Sequence, residues 1–183
     1  MFLDRDGVLA VPEFRNGRSY AVTRLEDFRL YDDASEALAR LKNAGYVLVV
    51  VTNQPDVGNG KVALETVEAM HEQMCAALPV DAVYACYHRS EERCDCRKPK
   101  PGMLLAGQAD WSIDLSASFM VGDRASDIAA GHAVGCRSVF IDLDYSAEGK
   151  PDEAEHRCGD LGSAADWILA QTSAVPRLSE PRA

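Results

Sequence analysis

The chain has no hydrophobic run that approaches the roughly 20 residues of a membrane-spanning helix. Its first residues, MFLDRDG, show neither the basic segment nor the long apolar segment of a secretory signal peptide. No basic stripe stands out, and the formal net charge of −10 argues against a nucleic-acid-binding surface. These absences favour a cytoplasmic protein that binds neither membranes nor nucleic acids. They do not exclude a phosphorylated small molecule as a ligand, since a metal ion or a few cations can reverse the electrostatic potential inside a cleft.

The sequence also has no internal repeat and no low-complexity segment. Its 183 residues, 47% of them hydrophobic and 26% charged, predict one globular domain at 1–172 and a polar, mobile tail at 173–183. Six cysteines in a protein of cytoplasmic type do not indicate a disulfide framework. No exposed helical stripe indicates an oligomer interface, so we expect a monomer.

Strand-like and helix-like segments alternate along the chain. Residues 46–51 (YVLVVV) form an apolar, largely β-branched run, which predicts a strand buried on both faces. The pattern predicts strands at 1–3, 46–51, 82–87, 118–121 and 138–141, and helices at 34–43, 63–78, 101–109, 126–134 and 161–171. Repeated units of this kind predict an α/β protein with a doubly wound, Rossmann-like parallel sheet in a single domain.

The first two predicted elements carry further expectations. The strand at 1–3 is unusually short for a central strand, so either its neighbours hold it or the natural chain begins earlier. Asp32 or Asp33 is expected to cap the helix at 34–43, and Gly45 is expected to end it.

The polar clusters of the sequence all follow predicted strands. They are, in strand order, Asp4 with Asp6, Thr52 with Asn53, the segment 86–98, and Asp123 with Asp127. Ligands of such sheets bind beyond the carboxyl ends of the strands. We therefore expect all four clusters at one edge of the sheet.

The carboxylates Asp4, Asp6 and Asp123 suit Mg²⁺, which prefers oxygen ligands and would offset the repulsion between Asp4 and Asp6. A carboxylate can also attack phosphorus to form an aspartyl-phosphate. A second, protonated carboxylate could donate to the leaving oxygen and then take a proton from water. For Asp4 and Asp6 alone, a solvated or turn-capping pair is the alternative interpretation, and the three further clusters argue against it.

Thr52, Asn53 and Lys98 offer a hydroxyl, an amide and a compact positive charge to a phosphate. Taken singly, a plain turn at Thr52-Asn53 and a surface position for Lys98 are the alternatives. The histidines His71, His132 and His156 are expected to be structural or at the surface.

The zinc loop, residues 86–96, carries Cys86-x-His88 followed by Cys94-x-Cys96. Three thiolates and one imidazole make a closed tetrahedral Zn²⁺ set, which indicates a structural site. The alternative is four unligated side chains in a polar loop. A zinc ion here would hold in place the segment that delivers Arg97 and Lys98.

The motifs FLDRDGV, VTNQ, CRKPKPGM and FMVGDRASD resemble, in order, the four motifs of the haloacid dehalogenase superfamily. The zinc loop with CRKP is similar to the zinc-bearing branch of the D-glycero-D-manno-heptose 1,7-bisphosphate 7-phosphatases and the histidinol-phosphate phosphatases. This resemblance spans Met1 to about Ile141 and implies a domain with little or no cap.

The resemblance also implies a role for each matched residue. Asp4 would be the nucleophile and Asp6 the general acid and base. Asp4, the backbone carbonyl of Asp6 and Asp123 would hold Mg²⁺, with Asp127 as support behind them. The residues implied to contact the phosphoryl group or the rest of the substrate are Arg5, Thr52, Asn53, Gln54, Pro55, Arg97 and Lys98.

A carboxylate at Asp6 favours phosphate-ester hydrolysis, since dehalogenases of the superfamily lack it and the ATPase pumps carry threonine there. We expect a Mg²⁺-dependent sugar-phosphate phosphatase, acting on the 7-phosphate of D-glycero-D-manno-heptose 1,7-bisphosphate. The alternatives are a histidinol-phosphate phosphatase and a non-catalytic, zinc-stabilised binding module. The motifs VVVTNQ and PGM resemble the heptose enzymes. The short zinc loop is closer to the histidinol-phosphate branch, Val8 stands where threonine is frequent, and Asn59 replaces an arginine usual in the heptose enzymes.

Overall fold

The computed structural model describes residues 1–173, in which eight strands form two sheets. The strands are β1 (Phe2–Leu3), β2 (Glu13–Arg15), β3 (Arg18–Tyr20), β4 (Val49–Asn53), β5 (Ala82–Cys86), β6 (Phe119–Gly122), β7 (Arg137–Ile141) and β8 (His156–Cys158). Six of them make one sheet in the order β5-β4-β1-β6-β7-β8, and every pairing in it is parallel. The predicted α/β, doubly wound parallel sheet is confirmed.

Helices cover both faces of this sheet. They are α1 (Ala34–Asn43), α2 (Pro55–Gly58), α3 (Leu64–Ala77), α4 (Gly102–Trp111), α5 (Ala125–His132) and α6 (Leu161–Ser173). Neighbouring strand residues point to opposite faces, so Leu3 and Val50 belong to the apolar cluster shared with α1, α3 and α6. Phe2 and Val49 belong to the other cluster, on the side of α4 and α5. Burial on both faces explains the unbroken apolar run of β4.

The short first strand lies at the centre of the sheet. Phe2 pairs with Val49 on one side and Met120 on the other, and both residues of β1 are fully buried. Its neighbours therefore hold it.

The predicted strand at 46–51 is displaced in the structure. The backbone N–H of Leu48 donates to the carboxylate of Asp81 (2.8 Å), so sheet pairing begins only at Val49 and continues to Asn53. Asp33 stands at the N-cap of α1, as predicted, but its carboxylate makes no capping hydrogen bond and instead accepts from the backbone N–H of Gly162 at the start of α6 (3.0 Å).

The connection after β1 contains a hairpin that the sequence interpretation missed. Strands β2 and β3 pair antiparallel around Asn16 and Gly17, which both have positive φ (52° and 75°). Asn-Gly is the preferred pair for such a two-residue turn, so the signal was present in the sequence. Among the described residues between β1 and α1, the hairpin is accompanied only by two isolated β-bridges, Asp6–Ala10 and Ala10–Leu30, in keeping with the expectation of little or no cap.

The predicted mobile tail, 173–183, lies outside the described residues from position 174 onwards. Within 1–173 no helix combines the length and the apolar character needed to cross a membrane.

Candidate active site

The candidate site lies at the carboxyl ends of the central strands. Asp4 directly follows β1, and its backbone N–H donates to the carbonyl of Val121 on β6 (2.9 Å). Thr52 and Asn53 end β4, while Asp123 follows β6. Parallel strands bring their carboxyl ends to one edge, so side chains far apart in sequence meet there.

Lys98 forms ion pairs with Asp4 and Asp127, which belong to the first and the last of the four polar clusters. Its ammonium lies 2.8 Å from Asp4 Oδ1 and 2.7 Å from Asp127 Oδ1, and it donates to the carbonyl of Val51 (2.7 Å). The lysine is 3% exposed, Asp4 7% and Asp127 0%. A surface position for Lys98 is therefore excluded, and the ammonium is a fixed charge at the base of the site.

Burial and neighbouring charges both shift the pKa values of Asp4, Asp123 and Lys98. Burial raises the pKa of Asp4 to about 6 although Lys98 opposes it. Burial and the negative charges of Asp4 and Asp127 raise the pKa of Asp123 well above its usual range. Burial would lower the pKa of Lys98, but the carboxylates of Asp127 and Asp4 outweigh it and raise that pKa.

The same carboxylates fit a divalent cation. Asp4, Asp123 and Asp127 each offer an oxygen, and these ligand atoms all lie within 4.8 Å of one another. Asp123 Oδ1 is buried and has no hydrogen-bond partner among residues 1–173. Three carboxylates against one ammonium leave two uncompensated negative charges if all are ionised. A doubly charged, oxygen-binding ion such as Mg²⁺ would satisfy both the charge and the orphaned oxygen.

The side chain of Asp6 lies outside this cluster and has its own partners. Its Oδ2 pairs with Arg5 Nη2 (2.9 Å) and accepts from Gln54 Nε2 (2.7 Å). The same Gln54 nitrogen lies 3.0 Å from Thr52 Oγ1. Gln54 therefore connects Asp6 with the end of β4.

Arg5 is fully buried beneath Asp6, whereas the resemblance implied a substrate contact. Its Nη1 lies 3.1 Å from His71 Nε2 on α3, and its guanidinium lies 5.5 Å from the ring centre of Phe28. Since an arginine only donates, His71 Nε2 is the acceptor. Burial, followed by the charge of Arg5, lowers the pKa of His71 to about 4. In this structure Arg5 holds Asp6, and His71 holds Arg5.

Asn53 forms a two-point clamp on the backbone of Lys98. Its side-chain amide donates to the Lys98 carbonyl (3.1 Å), and its Oδ1 accepts from the Lys98 N–H (3.1 Å). The clamp orders the segment that carries Arg97, whose Nη2 donates to Ser90 Oγ (3.1 Å). The buried Arg97 Nη1 has no hydrogen-bond partner in the described chain, so its two N–H groups are left for an anion. Pro55 is the first residue of α2.

The four residues of the zinc loop converge as their spacing suggested. Cys86 Sγ lies 3.7 Å from Cys94 Sγ and 3.6 Å from His88 Nδ1, and Cys96 Sγ lies 3.3 Å from the same nitrogen. Bond lengths of about 2.3 Å to sulfur and 2.0 Å to nitrogen in a tetrahedral zinc site place its ligand atoms roughly 3.5 to 3.8 Å apart. The cluster fits zinc, and it leaves no open coordination position.

Sequence interpretation missed Tyr145 and Gly7, which both lie against Asp123. The hydroxyl of Tyr145 donates to Asp123 Oδ2 (2.8 Å). No local motif marks a tyrosine in the loop after β7, because this contact depends on how that loop folds back. Gly7 did carry a signal, since a glycine directly after the acidic pair indicates close packing of backbone against side chains.

Comparison with known proteins agrees with this geometry. Residues 95–161 match the HAD-hydrolase-like family model. The chain is 35% identical to the D-glycero-β-D-manno-heptose-1,7-bisphosphate 7-phosphatase of Salmonella typhi, with 96% of this chain and 92% of that protein aligned. The enzyme of the same name from Helicobacter pylori is 33% identical, with 92% and 95% aligned.

Solved structures show the same likeness. The D,D-heptose 1,7-bisphosphate phosphatase of B. bronchiseptica, complexed with magnesium and phosphate, superimposes with a TM-score of 0.79 at 29% identity. The match covers 93% of this chain and 98% of that one. The corresponding enzyme of Burkholderia thailandensis gives a TM-score of 0.64 at 26% identity, with 92% and 97% covered.

Proposed function

Because this chain belongs to the haloacid dehalogenase superfamily, in the group of the heptose bisphosphate 7-phosphatases, we propose that it removes the 7-phosphate of D-glycero-D-manno-heptose 1,7-bisphosphate. The observation that carries the proposal is the position of Asp4. Its Oδ1 accepts from Lys98 Nζ and from the backbone N–H of Arg5 (both 2.8 Å). No donor within residues 1–173 reaches Oδ2, which therefore stays available as a nucleophile.

In the first step, an oxygen of Asp4 attacks phosphorus and the bond from phosphorus to the ester oxygen breaks. A protonated Asp6 gives its proton to the leaving oxygen, so the products are a free alcohol and an aspartyl-phosphate at Asp4. In the second step, Asp6 takes a proton from water while the water oxygen attacks phosphorus. The bond to Asp4 breaks, inorganic phosphate leaves, and both aspartates return to their starting states.

The surrounding residues bind and orient the phosphoryl group. Lys98 holds Asp4 in place and supplies positive charge, and Thr52 offers its hydroxyl at the end of β4. Mg²⁺ bound by Asp4, Asp123 and the Asp6 carbonyl would supply charge neutralisation at the phosphoryl oxygens. Asp127 supports the site through its ion pair with Lys98. We propose Arg5 as the residue that orients Asp6 instead of a substrate contact.

The remainder of the substrate is proposed to lie between α2 and the zinc loop. Asn53, Gln54 and Pro55 border this side, and the unpaired Nη1 of Arg97 is suited to an anionic or hydroxyl group. A phosphorylated sugar is the proposed partner. Action as a monomer in the cytoplasm stays a prediction from the sequence.

Phosphate release from a substrate panel tests the proposal. The panel contains heptose 1,7-bisphosphate, histidinol phosphate and smaller sugar phosphates, each with Mg²⁺, and we expect the heptose bisphosphate to give the highest kcat/KM. Asp4→Asn should lower turnover by at least about a thousandfold with an unchanged circular dichroism spectrum. Preference for histidinol phosphate would overturn the substrate, and no turnover of any phosphate ester would overturn the phosphatase.

A further inference from the structure

The carboxylate of Asp123 has one occupied and one free oxygen. Tyr145 donates to Oδ2 at 2.8 Å, and the tyrosine itself is 7% exposed. Oδ1 is buried without a hydrogen-bond partner among the described residues. A phenol is protonated at neutral pH and donates a single hydrogen bond, so it can hold one oxygen and leave the other for a cation.

The turn at Gly7, directly after Asp6, leaves space for the Asp123 carboxylate and the Tyr145 hydroxyl. Gly7 has φ of +91°, and a Cβ added there would lie 2.1 Å from Asp123 Oδ2 and 3.0 Å from the Tyr145 hydroxyl oxygen. A side chain at this position would displace both groups. The hydrogen bond therefore occupies space that only a glycine leaves open.

Two separate elements hold the ring of Tyr145. In the loop after β7, Asp144 has φ of 58°, which turns the chain, and Lys150 bridges Asp142 and Asp144 (both 2.9 Å). From the hairpin, Phe14 stacks on the Tyr145 ring with 5.8 Å between ring centres. The phenol thus reaches Asp123 from a braced loop and is covered by the hairpin.

We propose that Tyr145 is a positioning residue for the catalytic Mg²⁺, because its hydrogen bond to Oδ2 fixes the Asp123 carboxylate with Oδ1 available to the cation. The inference rests on the proposed function, since it takes Asp123 as a ligand of that ion. Partners that orient metal ligands in this way typically contribute about 10- to 100-fold to metal affinity or activity. Tyr145 has no direct contact with the reacting atoms in this scheme.

Tyr145→Phe removes the hydroxyl and keeps the ring. We would measure binding of Mn²⁺ alone, a hard cation with similar ligand preferences, by the loss of its free-ion EPR signal in substrate-free protein. The variant should bind Mn²⁺ about 10- to 100-fold more weakly than the natural chain. In turnover assays, the Mg²⁺ concentration for half-maximal activity should rise by a similar factor, and saturating Mg²⁺ should restore most of kcat.

Tyr84→Phe is the matched control, because Tyr84 also donates to a carboxylate, Asp110 (2.6 Å), at a position outside the acidic cluster. It should leave Mn²⁺ binding unchanged. Equal Mn²⁺ affinity in Tyr145→Phe and the natural chain would overturn the inference while the proposed function stands. A loss of kcat that saturating Mg²⁺ does not restore would overturn it too, since it would indicate a structural role. Failure of the natural chain to bind Mn²⁺ or to release phosphate would instead overturn the proposed function.

Discussion

At the scale of the residue, the site depends on a few fully buried charges with fixed partners. The order of strands and polar clusters predicted that Lys98 and Asp4 would lie at one edge of the sheet, and the structure adds the ion pairs of Lys98 to Asp4 and Asp127. The burial of Arg5 could not be predicted, because it depends on His71, 66 positions further along the chain on α3. Local sequence gives the type of a side chain, while its direction is set by such distant contacts.

The burial of His71 and, after it, the charge of Arg5 make the stability of the protein depend on pH. Because the pKa of His71 falls from 6.5 to about 4 on folding, the unfolded chain binds a proton that the native chain refuses. The contribution of His71 to stability is therefore complete above pH 6.5 and decreases as the pH falls towards 4. By about pH 5 the loss should be about 1 to 2 kcal/mol, with part of the full shift screened by solvent.

His71→Gln keeps an acceptor for Arg5 but does not titrate. In urea unfolding, the natural chain should lose this 1 to 2 kcal/mol relative to the variant between about pH 7.5 and about pH 5. The same pH dependence in both proteins would show that His71 does not control it. His132→Gln, at a surface position beside Glu155, controls for the removal of an imidazole elsewhere.

At the scale of the element, loops supply what the sheet alone does not. The zinc loop begins at the end of β5 and leads directly to Lys98. The conformation of the loop therefore determines where the Lys98 ammonium lies. Its ligand set was predictable because cysteines and a histidine at short spacing in a polar segment typically indicate a zinc site. The hairpin was missed although Asn16-Gly17 marks its turn, because its strands are short and mostly exposed, with little periodicity.

Loss of zinc should loosen the loop without unfolding the sheet. Metal analysis should find about one zinc per chain, and Cys94→Ser should lower that content. Hydrogen exchange should then rise in residues 86–100, and KM should rise because Arg97 and Lys98 lose their fixed positions. Cys75→Ser is the matched control, since Cys75 is exposed on α3 and lies outside the cluster. Zinc-free protein with unchanged exchange and KM would contradict this role for the loop.

At the scale of the whole molecule, the fold brings together residues that are far apart in the chain. Asp4 and Asp123 are separated by more than half of the sequence, yet β1 and β6 are neighbours in the sheet. Buried parallel strands can be recognised in a sequence as apolar runs, and their carboxyl ends share one edge of the sheet. The fold class and the place where the candidate site residues meet were therefore predictable. Strand β8 was not predicted, since HRC carries no apolar run, and the loop that brings Tyr145 to Asp123 has no local signature.

The proposed mechanism requires that Asp4 becomes phosphorylated, and that intermediate can be trapped. In Asp6→Asn, water activation is lost, while a substrate with a good leaving group, such as p-nitrophenyl phosphate, needs no general acid. Acid-quenched Asp6→Asn should therefore carry one added phosphoryl group on the peptide that contains Asp4, detected by mass spectrometry. The double variant with Asp4→Asn should carry none. A phosphoryl group on another residue, or on the double variant, would show that Asp4 is not the nucleophile.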